Sequence, residues 1–294
     1  METPYHQINS QKYMKRILYI FIFILVNIIS SIAQDTTYIY YNGYWSEIKE
    51  NDDTVFFRKQ FVDNGIYHVQ DYYFEDSIIQ MTGYYETKKT VNKNGHFVYY
   101  FKNGKKSSEG EYKNSTKTGK WTTWFENGQK KETELYKKDK LNGKCSYWHK
   151  NGQKRAEGVN IENLAEEIWT YWNKNGNIKA EGSYKKGLKE GKWSYWYENG
   201  NISSFETMKK DKIISTTSFY QNGFHEYEGN YINEKQDGEW KYWNINNRLF
   251  LVGSFKKGLR EGDWYRIFRN GDFRIQYRKG VIINETFGGL VRNK

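Results

Sequence analysis

Side chains capable of acid–base chemistry or metal binding are present in the sequence, but their spacing does not group them into a catalytic site. A carboxylate pair could carry out general acid–base catalysis, and clustered histidines could hold a metal ion. Four glutamates instead recur directly before a glycine at one register, which favours pairing with lysines on a neighbouring strand. The glutamates are Glu109, Glu157, Glu181 and Glu228. The histidines, His6, His68, His96, His149 and His225, share no register and form no metal-spaced pair.

Nucleophilic and phosphate-binding motifs are missing from the sequence. Cys145 is the single cysteine, and it stands where other copies of a repeated pattern have an aromatic residue, so we expect a small core side chain. The glycines follow neither the GxGxxG nor the GxxxxGK spacing, and no GxSxG elbow occurs. The sequence predicts a protein that is not an enzyme and has no catalytic residues, cofactor or metal site.

The elements that must position these side chains are eight copies of one unit. Consecutive copies start 24 residues apart, except for one interval of 23 residues. A period this regular predicts one structural unit stacked on copies of itself, with a long surface suited to binding. The copies open at Gly95, Gly119, Gly143, Glu167, Gly191, Ile214, Gly238 and Gly262.

Composition and turn signals indicate that each copy is a β-hairpin. Aromatic residues make up 19% of the chain, with one proline and 26 glycines, which favours strands. Seven copies carry Asn-Gly nine residues from their start, and we predict a type I′ turn there because both central positions need φ > 0. The glycines of these pairs are Gly104, Gly128, Gly152, Gly176, Gly200, Gly223 and Gly271.

Aromatic residues recur at fixed positions, counted from the opening residue as zero. Positions 2 and 4 share a strand face and are predicted to form the core, with the position-2 ring covering a bare glycine of the neighbouring strand. Position 5 lies on the opposite face unless a bulge re-aims it. An exposed row there would mark a binding groove. The candidate binding residues at position 5 are Trp124, Trp148, Trp172, Trp196 and Trp243.

Basic residues cluster near the turns, and the chain carries a formal net charge of +11. One interpretation is protection of sheet edges, because lysine discourages unwanted strand pairing. The other is a site for an anionic surface. The candidate residues for this second role are Lys130, Lys131, Lys154 and Arg155.

The N-terminus differs from the remainder of the chain. Met14-Lys15-Arg16 precedes an apolar run that ends in Ser31-Ile32-Ala33, a pattern typical of a cleaved secretory signal. A membrane anchor and a buried strand are the alternatives. We predict a signal peptide over Met14–Ala33, an exported product in the periplasm or the medium, and no stable transmembrane span in the mature chain. The predicted segments are residues 1–33 (extension and signal), 35–94 (degenerate repeats forming a cap), 95–280 (eight repeats) and 281–294 (a tail).

The pattern G-x-W-x-Y-W-x-x-N-G, followed by E-G-x-Y-x-x-G, resembles the MORN-repeat variant of the bacterial YwqK-type antitoxin family. The resemblance covers about Asp71 to Gly280. It implies an all-β, MORN-like antiparallel β-hairpin solenoid forming an elongated twisted sheet. It also implies binding without catalysis, and in the antitoxin members the neutralisation of a partner toxin.

Function is therefore expected to be binding. The first hypothesis is a scaffold for another protein, through its aromatic face or its basic edge. The alternative is a module that binds a cell-envelope glycan or an anionic lipid surface. Interleaved rings and lysines also suit single-stranded nucleic acid, which predicted export disfavours as a partner.

Overall fold

The computed structural model describes residues 36–87 and 92–289, and all regular structure in these ranges is β-strand. The all-β prediction is confirmed. The predicted signal peptide lies outside the described residues. No helix in the described ranges is long and apolar enough to cross a membrane.

The chain divides into two compact units, the first ending at Thr116 and the second beginning at Lys117. This boundary lies one repeat beyond the predicted end of the cap at residue 94. In the first unit β3 pairs with β1 and β4, and each later strand to β7 pairs antiparallel with the one before it. Its strands are β1 (Thr37–Tyr41), β2 (Glu47–Ile48), β3 (Phe56–Asp63), β4 (Ile66–Tyr73), β5 (Ile79–Tyr85), β6 (Gly95–Tyr100) and β7 (Lys106–Lys113).

In the second unit β9 pairs antiparallel with β8, β10 and β11 both pair with β9, and each strand from β12 to β23 pairs with the one before it. Residues 281–289, expected to form part of a tail, are the last strand of the sheet. The strands are β8 (Thr116–Trp124), β9 (Lys130–Lys137), β10 (Lys140–Leu141), β11 (Gly143–Trp148), β12 (Lys154–Ile161), β13 (Leu164–Trp172), β14 (Ile178–Lys185), β15 (Leu188–Trp196), β16 (Ile202–Lys209), β17 (Lys212–Phe219), β18 (His225–Ile232), β19 (Lys235–Trp243), β20 (Leu249–Lys256), β21 (Leu259–Phe268), β22 (Gly271–Arg278) and β23 (Val281–Gly289).

The prediction that Asn-Gly forms a type I′ turn is wrong. In the β13–β14 hairpin Gly176 has φ +90°, but Asn175 has no positive φ. The Gly176 N–H donates to the Asn173 carbonyl at 3.0 Å, and the Asn175 Oδ1 accepts from the Asn177 N–H at 3.0 Å. A turn followed by one left-handed glycine forms a hairpin loop that is longer than the two-residue type I′ turn. The two-residue turns with φ > 0 at both positions lie between repeats, as at Lys186 and Gly187 (φ +52° and +76°).

The turn asparagines also connect consecutive repeats. The Asn175 Nδ2 donates to the Glu198 carbonyl, in the next hairpin turn, at 3.1 Å. The same bond recurs from Asn127, Asn151, Asn199 and Asn222. These amides therefore tie neighbouring turns into a ladder along one edge of the second unit.

A bulge marks the start of the five repeats that open at Glu167, Gly191, Ile214, Gly238 and Gly262. On β15 the pairing jumps from Trp193–Gly182 to Glu190–Ser183, which leaves two residues unpaired, and Gly191 adopts φ +71°. Glu167 occupies the equivalent place in the preceding repeat with φ +60°, a conformation that a residue with a β-carbon tolerates poorly. The need for a left-handed residue explains why most repeats open on glycine.

The core consists of position-2 rings lying on bare glycine backbone, as predicted. A β-carbon added to Gly182 would stand 2.2 Å from Cδ2 of Trp193, which is 1% exposed. The Trp193 Nε1–H donates to the Ser183 carbonyl at 3.1 Å. The same close approach to glycine and the same indole N–H bond to a backbone carbonyl recur at three other tryptophans. These are Trp169 over Gly158, Trp240 over Gly229 and Trp264 over Gly253. Cys145 is fully buried, which confirms its expected role in the core.

In the first unit the core contains a buried ion pair that the repeat pattern did not predict. The Arg58 Nε and Nη2 donate to the two carboxylate oxygens of Asp71 at 2.6 and 2.8 Å. The guanidinium lies over the rings of Tyr41 and Tyr85, at 5.7 and 5.4 Å from their centroids. Burial opposes the charge, but the hydrogen bonds and charge of Asp71 outweigh it and raise the pKa of Arg58.

Candidate binding surface

The five predicted tryptophans lie in one row on the face opposite the position-2 core. Position 5 pairs with position 11 of the returning strand, as Trp172 does with Ile178 and Trp196 with Ile202. In both hairpins the position-12 residue is left out of the pairing as a bulge. We call this line of side chains the position-5 row. In the second unit it comprises Trp124, Lys130, Trp148, Lys154, Trp172, Ile178, Trp196, Ile202, Phe219, His225, Trp243 and Leu249.

Contacts along the row cross from one hairpin to the next. The Lys154 Nζ lies 5.3 Å from the ring centroid of Trp172, in the following repeat. The His225 ring lies 4.8 Å from Phe219 and 5.2 Å from Trp243, again measured between centroids. All five tryptophans keep an intermediate exposure, whereas the position-2 tryptophans are buried. The position-5 row is therefore the more accessible of the two aromatic columns.

The four predicted basic residues do not share this surface. Lys130 and Lys154 occupy position 11 and belong to the row. Lys131 lies 3.5 Å from the carboxylate of Glu132. Arg155 is the bulged residue of its strand, and its guanidinium lies 5.3 Å from the ring centroid of Tyr147, a position-4 residue of the core face.

Charges of both signs surround the row. The Glu157 carboxylate accepts from the Lys154 Nζ at 2.8 Å and from the Ser146 Oγ at 2.9 Å, and the Lys144 Nζ lies 3.2 Å away. Partial burial opposes ionisation, but these three partners outweigh it and lower the pKa of Glu157 to about 2.

The predicted cross-strand pairing of glutamate with lysine is confirmed at Glu157, through Lys144 of the paired strand. It is also confirmed at Glu228, which lies 3.3 Å from the Lys241 Nζ. Glu181 instead accepts a hydrogen bond from the Thr170 hydroxyl at 2.9 Å. The carboxylates therefore belong to the cross-strand contacts of this face.

Apolar side chains in the row and beside it were missed by the sequence reasoning. Ile168, at position 1, is 61% exposed, and Ile178 is 36% exposed. Phe205 takes the place of the position-14 glutamate, with the Lys192 Nζ 4.2 Å from its ring centroid. Isoleucine at positions 1 and 11, on the strand face that carries position 5, was the available signal.

The described histidines occupy separate places. His96 contacts Glu111, and His149 bonds to the Trp172 carbonyl. His68 stacks on Phe61 and contacts Tyr84 edge to face. Within residues 36–87 and 92–289, no group of three or more histidine, cysteine, aspartate or glutamate side chains could hold a metal ion.

Four segments match the family model described as the MORN repeat variant, over residues 93–114, 117–138, 168–186 and 189–208. A comparison with curated proteins finds no match. Two solved structures, titled "Crystal Structure of TcdB2-TccC3" and the same "without hypervariable C-terminal region", align at 8% identity with TM-scores of 0.19 and 0.20. Both alignments cover 85% of this chain but only 17% and 16% of those chains. The match to the repeat model agrees with the hairpin repeats described above.

Proposed function

We propose that the chain is a non-catalytic repeat protein that binds another protein through the face carrying the position-5 row. One observation carries the proposal. Half-buried tryptophans recur in register on one face, next to exposed isoleucines such as Ile168. Tryptophan anchors surrounded by polar side chains are typical of protein interfaces.

The charge pattern of this face favours a protein over an anionic lipid surface. Lys144 and Lys154 both contact Glu157, and Lys241 contacts Glu228 and Glu239 at 3.3 and 3.0 Å. Lysines that are paired in this way offer less uncompensated charge to phosphate headgroups. Mixed charges around an apolar row instead suit the complementary charges of a protein partner.

The proposal also includes export through the signal peptide predicted at Met14–Ala33. An exported chain would meet its partner outside the cytoplasm, so a neutralised toxin, as the antitoxin resemblance implies, would also have to be located there. N-terminal sequencing of the secreted or periplasmic product tests this part directly. A mature chain that begins at Gln34 supports export, and an intracellular chain that retains Met14 contradicts it.

To test binding, the mature chain is first used to isolate a partner protein from envelope and secreted fractions. The partner is then identified and purified. Affinity for that protein is then measured for the native chain and for Trp172→Ala/Trp196→Ala. We expect the double variant to lose at least tenfold in affinity, because two central anchors are truncated. Lys131→Glu is the matched control, since Lys131 lies outside the row, and it should stay within about threefold of the native affinity.

Unfolding curves must show that both variants remain folded. Equal affinity of the native chain and the double variant would contradict binding through the row. Tight binding to phosphatidylglycerol vesicles or to a purified envelope glycan, without any protein partner, would favour the alternative function. Loss of the vesicle signal at high salt would identify an electrostatic headgroup contact.

A further inference from the structure

On the core face, several position-2 rings are covered by a cation from the same chain. The basic residue stands two positions before the repeat opening. The Nζ atoms of Lys117 and Lys189 lie 4.3 Å from the ring centroids of Trp121 and Trp193, and the guanidinium of Arg260 lies 4.4 Å from that of Trp264. Attraction between a cation and the face of an aromatic ring stabilises each contact.

In the repeat that opens at Gly95, three aromatic rings surround one cation, and we call this arrangement a cage. The Lys93 Nζ lies 5.4, 5.3 and 5.0 Å from the ring centroids of Phe97, Tyr99 and Tyr112, at positions 2, 4 and 17. It also donates a hydrogen bond to the Tyr99 hydroxyl at 2.8 Å. The centroids of Tyr99 and Tyr112 lie 6.4 and 5.1 Å from that of Phe97, with interplanar angles of 25° and 87°.

The repeat opening at Glu167 has aromatic rings at the same three positions, with a tryptophan in place of Phe97, but no basic residue two positions before its opening. Trp169, Tyr171 and Tyr184 fill positions 2, 4 and 17, while the residue two before the opening is Ala165. The centroids of Tyr171 and Tyr184 lie 6.1 and 6.3 Å from that of Trp169, with interplanar angles of 25° and 83°. The ring orientations therefore match those of the Lys93 cage, and the position-17 ring stands 1.2 Å farther from the position-2 ring.

A cavity of about 470 Å³ opens at this place, lined by Ala165 and by all three rings. Trp169 is 6% exposed, compared with 1% for Trp193, which Lys189 covers. The hydroxyls of Tyr171 and Tyr184 lie 3.1 Å apart, so one of them donates a hydrogen bond to the other. The oxygen of the donating hydroxyl can still accept a hydrogen bond from a ligand.

One charged side chain lines the cavity. This side chain is Arg155, whose guanidinium lies over Tyr147, at 5.3 Å from its ring centroid. The Tyr147 hydroxyl donates to the Glu134 carboxylate at 2.9 Å. Asn160, Asn163 and Leu141 are further lining residues.

We propose that this cavity binds a primary alkylammonium group supplied from outside the chain, either a lysine side chain or a free amine. The cage would take the incoming ammonium as its counterpart takes that of Lys93. The site lies on the core face, opposite the position-5 row, so it does not rest on the proposed protein-binding function.

The test titrates the mature chain with n-butylammonium and with butan-1-ol, its neutral counterpart, while following the indole N–H signal of Trp169 by NMR. We expect the amine to bind at least tenfold more tightly than the alcohol. Ala165→Lys places a cation in the cage, and it should abolish amine binding while raising the melting temperature. Ile168→Lys adds the same charge on the opposite face, and it should change amine affinity less than twofold.

The source of the amine is distinguished with the peptide acetyl-Gly-Lys-Gly-amide. Binding of the peptide at an affinity similar to butylammonium supports a lysine side chain, whereas binding of butylammonium alone supports a small free amine. Equal binding of amine and alcohol would overturn the proposal in favour of a plain apolar cavity. Unchanged amine binding in a folded Ala165→Lys variant would also overturn it.

Discussion

The indole ring of Trp193 occupies the space in which a β-carbon of Gly182 would stand, with Cδ2 and Cε2 at 2.2 and 2.4 Å from that point. Gly182→Ala must displace a ring that is itself hydrogen-bonded to backbone. We expect a loss of about 3 kcal/mol in the free energy of unfolding, since overpacking of this kind costs about 1–3 kcal/mol or more. Chemical denaturation measures it.

Gly288→Ala is the matched control, because its nearest contact would be an ordinary 3.6 Å and its φ is not in the left-handed region. It should cost less than about 1 kcal/mol. Equal losses in the two variants would show that the ring over Gly182 does not determine the cost.

The two aromatic columns should differ in their contribution to stability. Trp193→Ala removes a fully buried ring, so we expect a loss of about 3–5 kcal/mol. Trp196→Ala removes a half-buried ring of the position-5 row and should cost less than half as much. Thermal unfolding of both variants tests the difference, and similar melting temperatures would contradict the assignment of the core face.

The amide of Asn175 performs two roles that substitutions can separate. Its Oδ1 accepts from Asn177 within the turn, and its Nδ2 donates to Glu198 of the next repeat. Asn175→Asp keeps the acceptor and loses the donor, while Asn175→Ala loses both. At about 1 kcal/mol per hydrogen bond, we expect losses of about 1 and 2 kcal/mol in urea unfolding. If Asn175→Asp loses as much unfolding free energy as Asn175→Ala, the bond to the next repeat alone accounts for the stabilisation.

Replacing a strained residue should stabilise the chain. Glu167 has φ +60° where most other repeats have glycine, so Glu167→Gly relieves strain of about 1–2 kcal/mol. The greater freedom of glycine in the unfolded chain offsets about 0.4–1 kcal/mol of this gain. We expect a net increase of about 0.5–1 kcal/mol. Ile214→Gly, at an opening residue without positive φ, should decrease stability, and a stabilised Ile214→Gly would refute the explanation.

The ionised form of Glu157 should contribute to stability in a defined pH range. Its pKa is lowered from 4.5 to about 2 in the folded chain, so its contribution is complete above pH 4.5 and is lost as the pH falls toward 2. Solvent screening limits the contribution to about 1 kcal/mol. Glu157→Gln should be less stable near neutral pH, with a flatter decline below pH 4.5 than the native chain. Glu285→Gln, on an exposed strand position, should retain the native decline.

Position-by-position reading of the repeat predicted the hairpins, the glycine under each tryptophan and the burial of Cys145. It did not predict the turn type, because Asn-Gly suits both a type I′ turn and a loop with one left-handed glycine. Lys154 lies near Trp172 of the position-5 row, whereas Arg155 lies near Tyr147 of the core face. Adjacent residues of a strand point to opposite faces, so neighbours in sequence do not by themselves form one basic surface. The contacts between cations and position-2 rings could have been predicted from the sequence, because Lys117, Lys189 and Arg260 each stand two residues before a repeat opening.

The bulge at the repeat openings from Glu167 onward also determines where the length of a repeat can change. Side chains alternate along a strand, so the loss of one residue would normally turn every following side chain to the other face. Before Thr216 the repeat is one residue shorter, and the pairing jumps from Ser215–Thr207 to Ile213–Met208, leaving Ile214 alone unpaired. Thr216 and Ser218 remain buried on the core face. We therefore expect the deletion of one residue at this point of the unit to leave its two surfaces unexchanged.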